Sequence, residues 1–559
     1  MDLSTVTFFT NATTEIQVLA VSQQCFKCSY NLLGNISIAK NFTHFFDTRW
    51  PTNFKFLNNN QSKIVAEHFV EHGKYIYSVY ETSSDTLLID NKITNSPALS
   101  FLPLIYLLVV LVAASIIWPL GKFIYRTFRH GNFVSDSDYF LEMEEWESKI
   151  DTISKSQQSS KNELIVRKPA RIRSIDTFRG IAIVLMVFVN YGGGQYYFID
   201  HSVWNGLSLS DLVFPWFIFI MGLSINLSHK RLLKQENKKL AAFWIICTRS
   251  IKIFLIGFIL NAGKNLPTWR IPGVLQRIGI SYFIVASFNL FTAPSEQTIK
   301  RFASIKWVSH LCDIIPFGIQ WLFIFCLLAI HTAITFRLPV PGCPTGYLGP
   351  GGLSEGGKYF YCTGGAAGYI DKLVFGEKHL YRNPSLKNIY LTKQNFDPEG
   401  LLGYLTSIVL TFFGLQAGRI MFMYKSHKSQ VLRWFIWTLI TGGIAFGLTS
   451  GSLNNGLIPI NKNLWSLSFV MATSATSFLL FSFCYILCDI FHVWNGSPFF
   501  FCGVNSMFIY IGHSLVSFNI YWNEQDVTHI SSLVVATFGT SIWVTSAFWL
   551  HLKKQVFTV

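Results

Sequence analysis

The chain has 559 residues, of which 50% are hydrophobic and only 13% are charged. Soluble domains carry about 25% charged residues, so this composition indicates a protein that crosses the membrane several times. In a soluble chain, the net charge of +15 would suggest nucleic acid or an anionic membrane as a partner. The basic residues cluster instead in short loops between apolar segments, which argues against nucleic acid and makes the lipid bilayer the expected partner.

Residues 1–98 are polar and predict a small lumenal domain. The alternation in YIYSVYETSSDTLLID (75–90) favours strands, so the domain is expected to be β-rich. Cys25 and Cys28 have no second pair nearby, which favours a local disulfide or one to another lumenal cysteine over a zinc site. Four Asn-x-Ser/Thr sequons begin at Asn11, Asn35, Asn41 and Asn60. Glycosylation explains so many sequons in a short segment better than chance does.

Eleven apolar stretches of about 20 residues predict eleven membrane-spanning helices. The first, within 99–127, precedes a polar cytosolic linker at 128–170 that is rich in Ser, Gln and Lys, and the other ten form a body at 171–559. The start, MDLSTVTFFT, does not look like a signal peptide, so either the true start is missing or the first helix carries the N-terminus across the bilayer. The stretches lie near 100–124, 177–193, 208–228, 243–262, 273–292, 314–335, 401–423, 432–450, 464–487, 498–518 and 531–551.

Loop charge predicts the orientation of the helices. The short loops on one side carry eleven Lys or Arg residues and those on the other side carry three. Because basic loops stay in the cytosol, the N-terminus is expected in the lumen and the C-terminus in the cytosol. The long loop 337–400 is lumenal by the same count. Cys343 and Cys362 bracket its Gly-rich part, where an oxidising lumen favours a disulfide and two free thiols are the alternative.

The helix that begins RIRSIDTFRG carries Arg173 and Arg179 at its cytosolic end and stops at Asn190, before three glycines. Arginines at a helix end are ordinary anchors, and Asn before glycines is a common helix stop. His201 follows in the lumen beside aromatic residues such as Trp204, which suit a membrane interface and stacking on sugars equally. Other ionisable residues in or near membrane helices imply a hydrated path through the body, namely Asp211, Arg249, Lys252, Arg270, Arg277 and His513.

The absence of several known catalytic motifs excludes some classes of enzyme. The sequence has no phosphate loop, HExxH, G-x-S-x-G or paired Glu-x-x-His, which argues against metalloprotease, serine hydrolase and di-iron chemistry, and no metal is expected. Charged membrane helices suit a solute transporter as well as an enzyme that transfers a group across the bilayer. An inverted internal repeat would favour the transporter, and no such repeat is apparent in the sequence.

Several blocks between 171 and 515 resemble the heparan-alpha-glucosaminide N-acetyltransferases of lysosomes, among them RIRSIDTFRGIAIVLMVFVNYGGG, HSVWNGLSLSDLVFPWFIFIMG, RIPGVLQRIGISYF, LPVPGCPTGYLGPGG, DPEGLLG, PINKNLWSLSFV and GVNSMFIYIGH. The resemblance implies an enzyme of the lysosomal membrane that moves acetyl from cytosolic acetyl-CoA to the terminal non-reducing glucosamine of heparan sulfate in the lumen. The opening RSIDTFRG is also similar to the acyltransferase-three superfamily, which leaves O-acylation of another glycan as an alternative. The sequence does not decide the oligomeric state, and a homodimer is compatible with it.

The resemblance also assigns roles. The family's catalytic histidine lies in the motif matched by HSVWNGL, which makes His201 the base or the acetyl acceptor, and the family's asparagine before the glycines is Asn190. Arginine matches phosphate geometry, so the nucleotide phosphates of acetyl-CoA are expected at Arg173 and Arg179, with Arg249 and Lys252 as weaker candidates. Arg270 is expected to hold the acidic acceptor or to pair with Asp211, and His513 is a second candidate base. The expected acceptor contacts are Trp204, Asp211, Arg270, Lys462, Asn463 and His513.

Overall fold

A computed structural model gives the fold. Two compact units make up the chain, Met1–Ala98 with Ile172–Val559, and Leu99–Arg171. The described part of the second unit is helix α1 (Leu102–Ala113), and the predicted linker 128–170 lies outside the described residues. The structure describes residues 3–12, 14–38, 40–58, 61–81, 87–95, 101–113, 172–235, 239–261, 266–305, 309–516 and 528–557.

The N-terminal domain, here called the β domain, contains eight described strands: β1 (Leu3–Thr10), β2 (Ile16–Ser22), β3 (Asn31–Ile36), β4 (Phe42–Asp47), β5 (Thr52–Asn58), β6 (Gln61–Glu67), β7 (Lys74–Glu81) and β8 (Leu87–Asn95). They form two four-stranded sheets, with the orders β4-β1-β7-β8 and β3-β2-β5-β6. Alternate residues of β1 are buried because successive side chains of a strand point to opposite faces. The two buried faces share an aromatic core, in which the Phe8 ring lies 5.7 Å from the rings of Phe54 and Tyr77. The predicted β-rich domain is confirmed.

The rest of the first unit is largely helical. A π-helical turn, Ile486–Ile490, directly follows the helix that ends at Tyr485. The described helices are α2 (Arg173–Asn190), α3 (Leu209–Gln235), α4 (Lys239–Leu260), α5 (Val274–Thr292), α6 (Glu296–Ala303), α7 (Gly318–Arg337), α8 (Gly365–Phe375), α9 (Leu386–Tyr390), α10 (Leu402–Met423), α11 (His427–Thr449), α12 (Leu467–Tyr485), α13 (Phe499–Val504), α14 (Ser506–Leu515) and α15 (His529–Leu552).

Within the described residues, eight helices are long and apolar enough to cross a membrane: α3, α4, α5, α7, α10, α11, α12 and α15. The polytopic helical class is therefore confirmed. The stretch 498–518 does not form the single helix that was predicted. It contains two short helices, α13 and α14, that meet at Asn505. The predicted span 177–193 corresponds to α2, whose first two turns carry Arg173, Asp176 and Arg179. The count of eleven spans stays a prediction.

Two glycines let α2 and α13 approach closely. A Cβ atom on Gly503 would lie 1.7 Å from the Asp176 carbonyl oxygen, and one on Gly180 would lie 1.8 Å from the Phe499 carbonyl oxygen. No other residue fits such distances, because its Cβ would overlap the facing backbone. This crossing fixes the position of α2, the helix that carries Arg179 and Asn190.

The loop 337–400 carries a disulfide and contacts the β domain. Cys343 is joined to Cys362, and in the β domain Cys25 is joined to Cys28, with a Cα–Cα distance of 5.5 Å. The turn between these last two cysteines contacts the loop, because the Phe26 amide donates to Tyr390 Oη over 3.2 Å. The loop and the β domain thus cover the same end of the helical body.

The sequons differ in exposure. Asn11 and Asn41 are exposed and Asn35 is half-buried, and Asn60 lies outside the described residues. Glycosylation at these positions stays a prediction.

Candidate active site

One cavity of about 390 Å³ lies between α2, α3, α4, α5 and α14. Asn190, His201 and Lys462 line one end of it, called here the His201 end, and Arg179 lines the other, the Arg179 end. Arg179 and Asn190 are eleven residues apart on α2, which corresponds to about 16 Å at 1.5 Å per residue. Apolar side chains such as Met221 line the cavity between the two ends. The cavity is therefore long, apolar in the middle and polar at its ends.

At the His201 end, the imidazole of His201 is held by a buried carboxylate. Its Nδ1 lies 2.8 Å from Asp211 Oδ1 and 2.8 Å from Ser210 Oγ. The Asp211 side chain is fully buried, whereas that of His201 is 39% exposed. When Nδ1 donates its hydrogen to the carboxylate, Nε2 carries a lone pair. A histidine oriented in this way can accept a proton or attack an electrophile.

Asp211 also fixes the loop that contains His201. Its Oδ2 accepts from the Ser202 amide over 3.1 Å, the Ser208 amide over 3.2 Å and Ser208 Oγ over 2.8 Å. Asp211 lies in the first turn of α3, where the helix dipole favours a negative charge. A single carboxylate thus joins both ends of the segment 201–208 to α3.

Lys462 completes this cluster from the loop before α12. Its Nζ lies 2.8 Å from His201 Nδ1 and 3.3 Å from Nε2, and it forms an ion pair of 3.3 Å with Asp211 Oδ1. Nδ1 carries at most one hydrogen, so when it donates to the carboxylate, the ammonium pairs with Asp211 instead of donating to Nδ1. The ring therefore faces one negative and one positive group.

Asn190 is held by His513 from α14. His513 Nδ1 lies 2.9 Å from the Ile509 carbonyl oxygen, which only accepts, so Nδ1 carries the hydrogen and Nε2 the lone pair. Asn190 Nδ2, 3.0 Å away, donates to this lone pair. The amide is thereby oriented, and it retains a second N–H and its carbonyl oxygen for the cavity.

The Arg179 end carries cations beside small polar groups. Arg179 is paired with Asp176 over 3.0 Å and donates to Ser224 Oγ over 3.2 Å, and its side chain keeps 26% exposure. Arg249 also lines the cavity, with its guanidinium 5.8 Å from the centre of the Tyr282 ring. This end can bind an anionic group without burying it fully.

Comparison with known proteins shows what this sequence resembles. Residues 171–336 match the catalytic family described as heparan-alpha-glucosaminide N-acetyltransferase. The Homo sapiens protein named heparan-alpha-glucosaminide N-acetyltransferase is 46% identical over 399 residues, which are 69% of this chain and 59% of that protein. The Mus musculus protein of the same name is 46% identical over 397 residues, 69% of this chain and 60% of that protein. Over these ranges the chain is similar to the heparan-alpha-glucosaminide N-acetyltransferase family. It spans about 60% of the length of these two relatives.

The family match covers part of the cavity. Asn190, His201 and Asp211 lie inside the matched residues 171–336, as does Arg179. The C-terminal part of the chain, outside that match, contributes Lys462 and other lining residues, namely Glu399, Ser506, Met507, Tyr510, His513 and Ser514. The folded body therefore assembles the cavity from both regions.

Arg270 differs from expectation, since it does not pair with Asp211. It donates from Nε to Asp397 Oδ2 over 2.8 Å and also pairs with Glu399. These two carboxylates raise the pKa of Arg270, although its burial acts the other way.

Burial would raise the pKa of Glu399, but the charges of Arg270, Arg277 and Lys462 lower it to about 2. Glu399 lines the cavity, so this ion-pair network borders the His201 end.

A further carboxyl group lies next to this network. Asp371 of α8 is buried, and its Oδ1 accepts from the Leu401 amide over 2.7 Å. Burial, together with the negative charge of Asp397, raises the pKa of Asp371 to about 7. This group therefore changes its charge between acidic and neutral pH.

The structure contradicts the predicted acceptor contacts at two residues. Trp204 is only 2% exposed, and its Nε1 donates to the Leu348 carbonyl oxygen over 3.0 Å, so its ring cannot stack on a sugar. Asn463 is also buried and donates to the Val203 carbonyl oxygen over 3.3 Å. Both residues instead stabilise the loops in which they lie.

Four other residues do not have the contacts that were predicted for them. Asp211 is fully buried, so it orients His201 and does not touch the acceptor. Both ring nitrogens of His513 are engaged, which argues against its role as a base. Lys252 is exposed on α4 outside the cavity lining, although it lies only three residues from Arg249. Arg173 is also outside the lining, at the first residue of α2.

Sequence reasoning missed Glu399 and Ser210 as parts of the site. Glu399 lies in DPEGLLG, a block that carries the family resemblance, and that block was the signal available. Ser210 immediately precedes Asp211 in the first turn of α3, and only the fold brings it to His201. Among the described residues, no group of three or more His, Cys, Asp or Glu side chains is arranged to hold a metal ion.

Proposed function

We propose that the protein transfers acetyl from acetyl-CoA to the terminal non-reducing glucosamine of heparan sulfate, with His201 as base or acetyl acceptor. One observation carries the proposal, the single cavity that has the Asp211-bound imidazole at one end and Arg179 at the other, with apolar walls between them. Such a channel suits a donor that has an anionic nucleotide and a long, weakly polar arm ending in a thioester. The names of the two relatives support the same activity.

Acetyl-CoA enters this cavity from the Arg179 end. Arg179 meets the phosphates at the mouth, and Arg249 is a second cation on the path. Arg173 begins α2 nearly two turns before Arg179, and it meets the part of the nucleotide that stays outside the cavity. Guanidinium groups suit this task because they bind phosphate oxygens in a bidentate manner. The pantetheine arm then places the thioester near His201.

The acceptor amine attacks the thioester at the His201 end. Only the neutral amine is nucleophilic, so a base must remove its proton. His201 Nε2 takes this proton, the nitrogen–carbon bond forms, the carbon–sulfur bond breaks, and the proton passes to the departing thiolate. Asn190 can hold the carbonyl oxygen of the reacting thioester with its second amide hydrogen. Lys462 stabilises negative charge beside the ring.

A two-step route uses the same residues. His201 Nε2 attacks the thioester first, which releases the thiol and leaves an acetyl-imidazole that the amine then attacks. Acetyl-CoA supplied without an acceptor distinguishes the routes, since stoichiometric labelling of His201 supports the covalent one. Absence of label under conditions that support turnover favours direct transfer.

Orientation and location belong to the same proposal. The His201 end and the β domain face the lumen of the lysosome, the Arg179 end faces the cytosol, and the C-terminus is cytosolic. The acidic, sulfated acceptor is then held by lumenal residues, among which Lys462 and the cations of the ion-pair network remain candidates. A homodimer stays compatible with this arrangement.

The proposal is tested with purified protein, acetyl-CoA and glucosamine. Free thiol and N-acetylglucosamine should appear together, and His201→Ala should reduce the rate by at least about 1,000-fold because both routes need the imidazole. His310→Ala, a change at an exposed histidine, is the matched control and should retain the rate. A transporter would give neither product, an O-acyltransferase would give an alkali-labile ester, and either result overturns the proposal.

A further inference from the structure

The imidazole of His529, the first residue of α15, is buried between the β domain and the glycine loop, defined as residues 192–195. Its Nδ1 lies 2.6 Å from the Gly194 carbonyl oxygen. Its Nε2 lies within hydrogen-bonding distance of Glu71 Oε1. One ring therefore connects the β domain, the glycine loop and a membrane helix.

The partners of His529 determine how many protons its ring must carry. A backbone carbonyl oxygen only accepts hydrogen bonds, so Nδ1 must donate to Gly194. An ionised carboxylate also only accepts, so Nε2 must donate to Glu71. With Glu71 ionised, both bonds exist together only when the ring is the doubly protonated imidazolium. A neutral ring keeps one of them and loses the other.

The charges around His529 fit this state. Glu71, from the turn between β6 and β7, faces the ring, and so does Tyr196, whose ring is stacked on the imidazole at 4.4 Å and 11°. A cation at the first residue of a helix is opposed by the helix dipole. The carboxylate of Glu71 offsets that opposition, and the face of an aromatic ring also attracts a cation.

The Glu71 side of the contact is held firmly. Glu71 is buried, and its turn is fixed by the bond from the Val70 amide to Tyr75 Oη over 3.0 Å. A second contact lies nearby, where the rings of Trp50 and Tyr197 are 5.0 Å apart. The β domain thus presents a fixed carboxylate to α15.

The contact with Gly194 connects His529 to the segment between Asn190 and His201. The glycine loop begins two residues after Asn190 and ends six residues before His201. All four of its residues, Gly192, Gly193, Gly194 and Gln195, have positive φ angles, so its path is unusual and needs outside contacts to hold it. The bond from His529 to the Gly194 carbonyl oxygen is such a contact.

We propose that Glu71, His529 and Gly194 form a proton-dependent clamp that positions Asn190 and His201 for the reaction. In the clamp, His529 is a positioning residue and Glu71 is its counter-charge from the β domain. The role rests on the acetyl transfer proposed above. The clamp closes in an acidic compartment and loosens as the pH rises to neutrality. The β domain thereby becomes part of the catalytic arrangement instead of an appended module.

The clamp predicts the shape of the pH profile. Transfer increases with pH on the acidic side, because the base and the amine must be neutral, and decreases on the alkaline side as His529 loses a proton. Glu71→Gln should move the alkaline limb of kcat up by at least about one pH unit. The reason is that the amide can donate to Nε2 of a neutral ring while Nδ1 still donates to Gly194, so closure no longer needs the extra proton. The acidic limb should not move.

The test measures kcat and KM from pH 4.5 to 8 for the full chain and three variants. His529→Ala should lower kcat about tenfold or more at acidic pH with little change in the KM for acetyl-CoA, since the Arg179 end is untouched. Glu67→Gln is the matched control, because Glu67 of β6 accepts from Tyr77 Oη away from the clamp, and its profile should equal that of the wild type. An alkaline limb that stays in place in Glu71→Gln overturns the clamp.

A second measurement does not depend on turnover. Hydrogen exchange of the amides in residues 191–199, corrected for intrinsic rates, should be slower at pH 5 than at pH 7.5 in the wild type and slow at both values in Glu71→Gln. Equal exchange at the two values in the wild type overturns the clamp even if His529→Ala fails to fold. If the exchange pattern is as expected but the protein produces no N-acetylglucosamine, the clamp is supported and the proposed reaction is wrong.

Discussion

At the scale of single residues, Asp211 decides what His201 can do. Its carboxylate accepts from the imidazole and from three other donors in the segment 201–208. Asn in its place keeps the size of the side chain but loses the negative charge that holds the Nδ1 hydrogen. We expect Asp211→Asn to lower kcat on the order of 10²–10⁴-fold. The KM for acetyl-CoA should change little, because Asp211 is buried away from the Arg179 end.

Steady-state kinetics of purified Asp211→Asn check this expectation. The elution profile and Tm of the variant establish whether it is folded. A folded variant whose kcat stays within about threefold of the wild type would show that the carboxylate has no part in orienting the base.

Asp371 links stability to pH at the same scale. Its pKa in the folded protein is raised from 3.8 to about 7, so the folded state binds this proton more tightly than the unfolded state does. The stabilising effect of the proton is complete below the unfolded pKa and is lost as the pH rises from about 4 to about 7. Asp371→Asn removes the cost of ionisation and keeps an acceptor for the Leu401 amide. The variant should therefore gain stability over the wild type as the pH rises.

Thermal unfolding in detergent measures this effect at pH 5 and pH 7.5. The Tm difference between Asp371→Asn and the wild type should be larger at pH 7.5, by an amount that corresponds to a few kcal/mol at most. A difference that shrinks with rising pH would mean that Asp371 is ionised in the folded protein throughout this range.

At the scale of elements, the crossing of α2 and α13 is sensitive to any increase in side-chain size. Gly503→Ala would place a Cβ atom 1.7 Å from the Asp176 carbonyl oxygen, so the two helices must separate. Overpacking of this kind costs about 1–3 kcal/mol, and it displaces the helix that carries Arg179 and Asn190. We expect a lower Tm together with weaker acetyl-CoA binding.

Gly443→Ala is the control for this prediction. Gly443 lies in α11, and a Cβ atom there would have no heavy atom within 4 Å. Its replacement should leave the Tm unchanged or raise it, since Ala favours a helix over Gly by about 1 kcal/mol. Equal Tm values for the two variants would show that α13 moves freely against α2.

At the scale of the whole molecule, the two ends of the cavity are expected to face different compartments. Sealed vesicles that contain the protein should form N-acetylglucosamine only when acetyl-CoA and the acceptor are on opposite sides of the membrane. Detergent should remove this requirement, because it opens both ends to one solution. Product formed from both substrates outside intact vesicles would contradict the proposed orientation.

The sequence alone determined the class of the protein and most of its elements. Runs of about 20 apolar residues are a local property, since the bilayer selects for length and hydropathy whatever the neighbours are. Period-two alternation is also local and predicted the strands near 75–90. The family motifs, which are continuous in sequence, singled out Asn190 and His201.

Only the tertiary structure decided which charged groups meet. Lys462 reaches His201 across 261 residues, and Arg270 binds Asp397 across 127 residues, whereas the nearer Asp211 was the expected partner. Glu71 and His529 are separated by 458 residues. An ion pair depends on the packing of whole helices and domains, which no local pattern encodes. The sequence therefore singles out His201 as the proposed reactive histidine, and the fold determines what holds it.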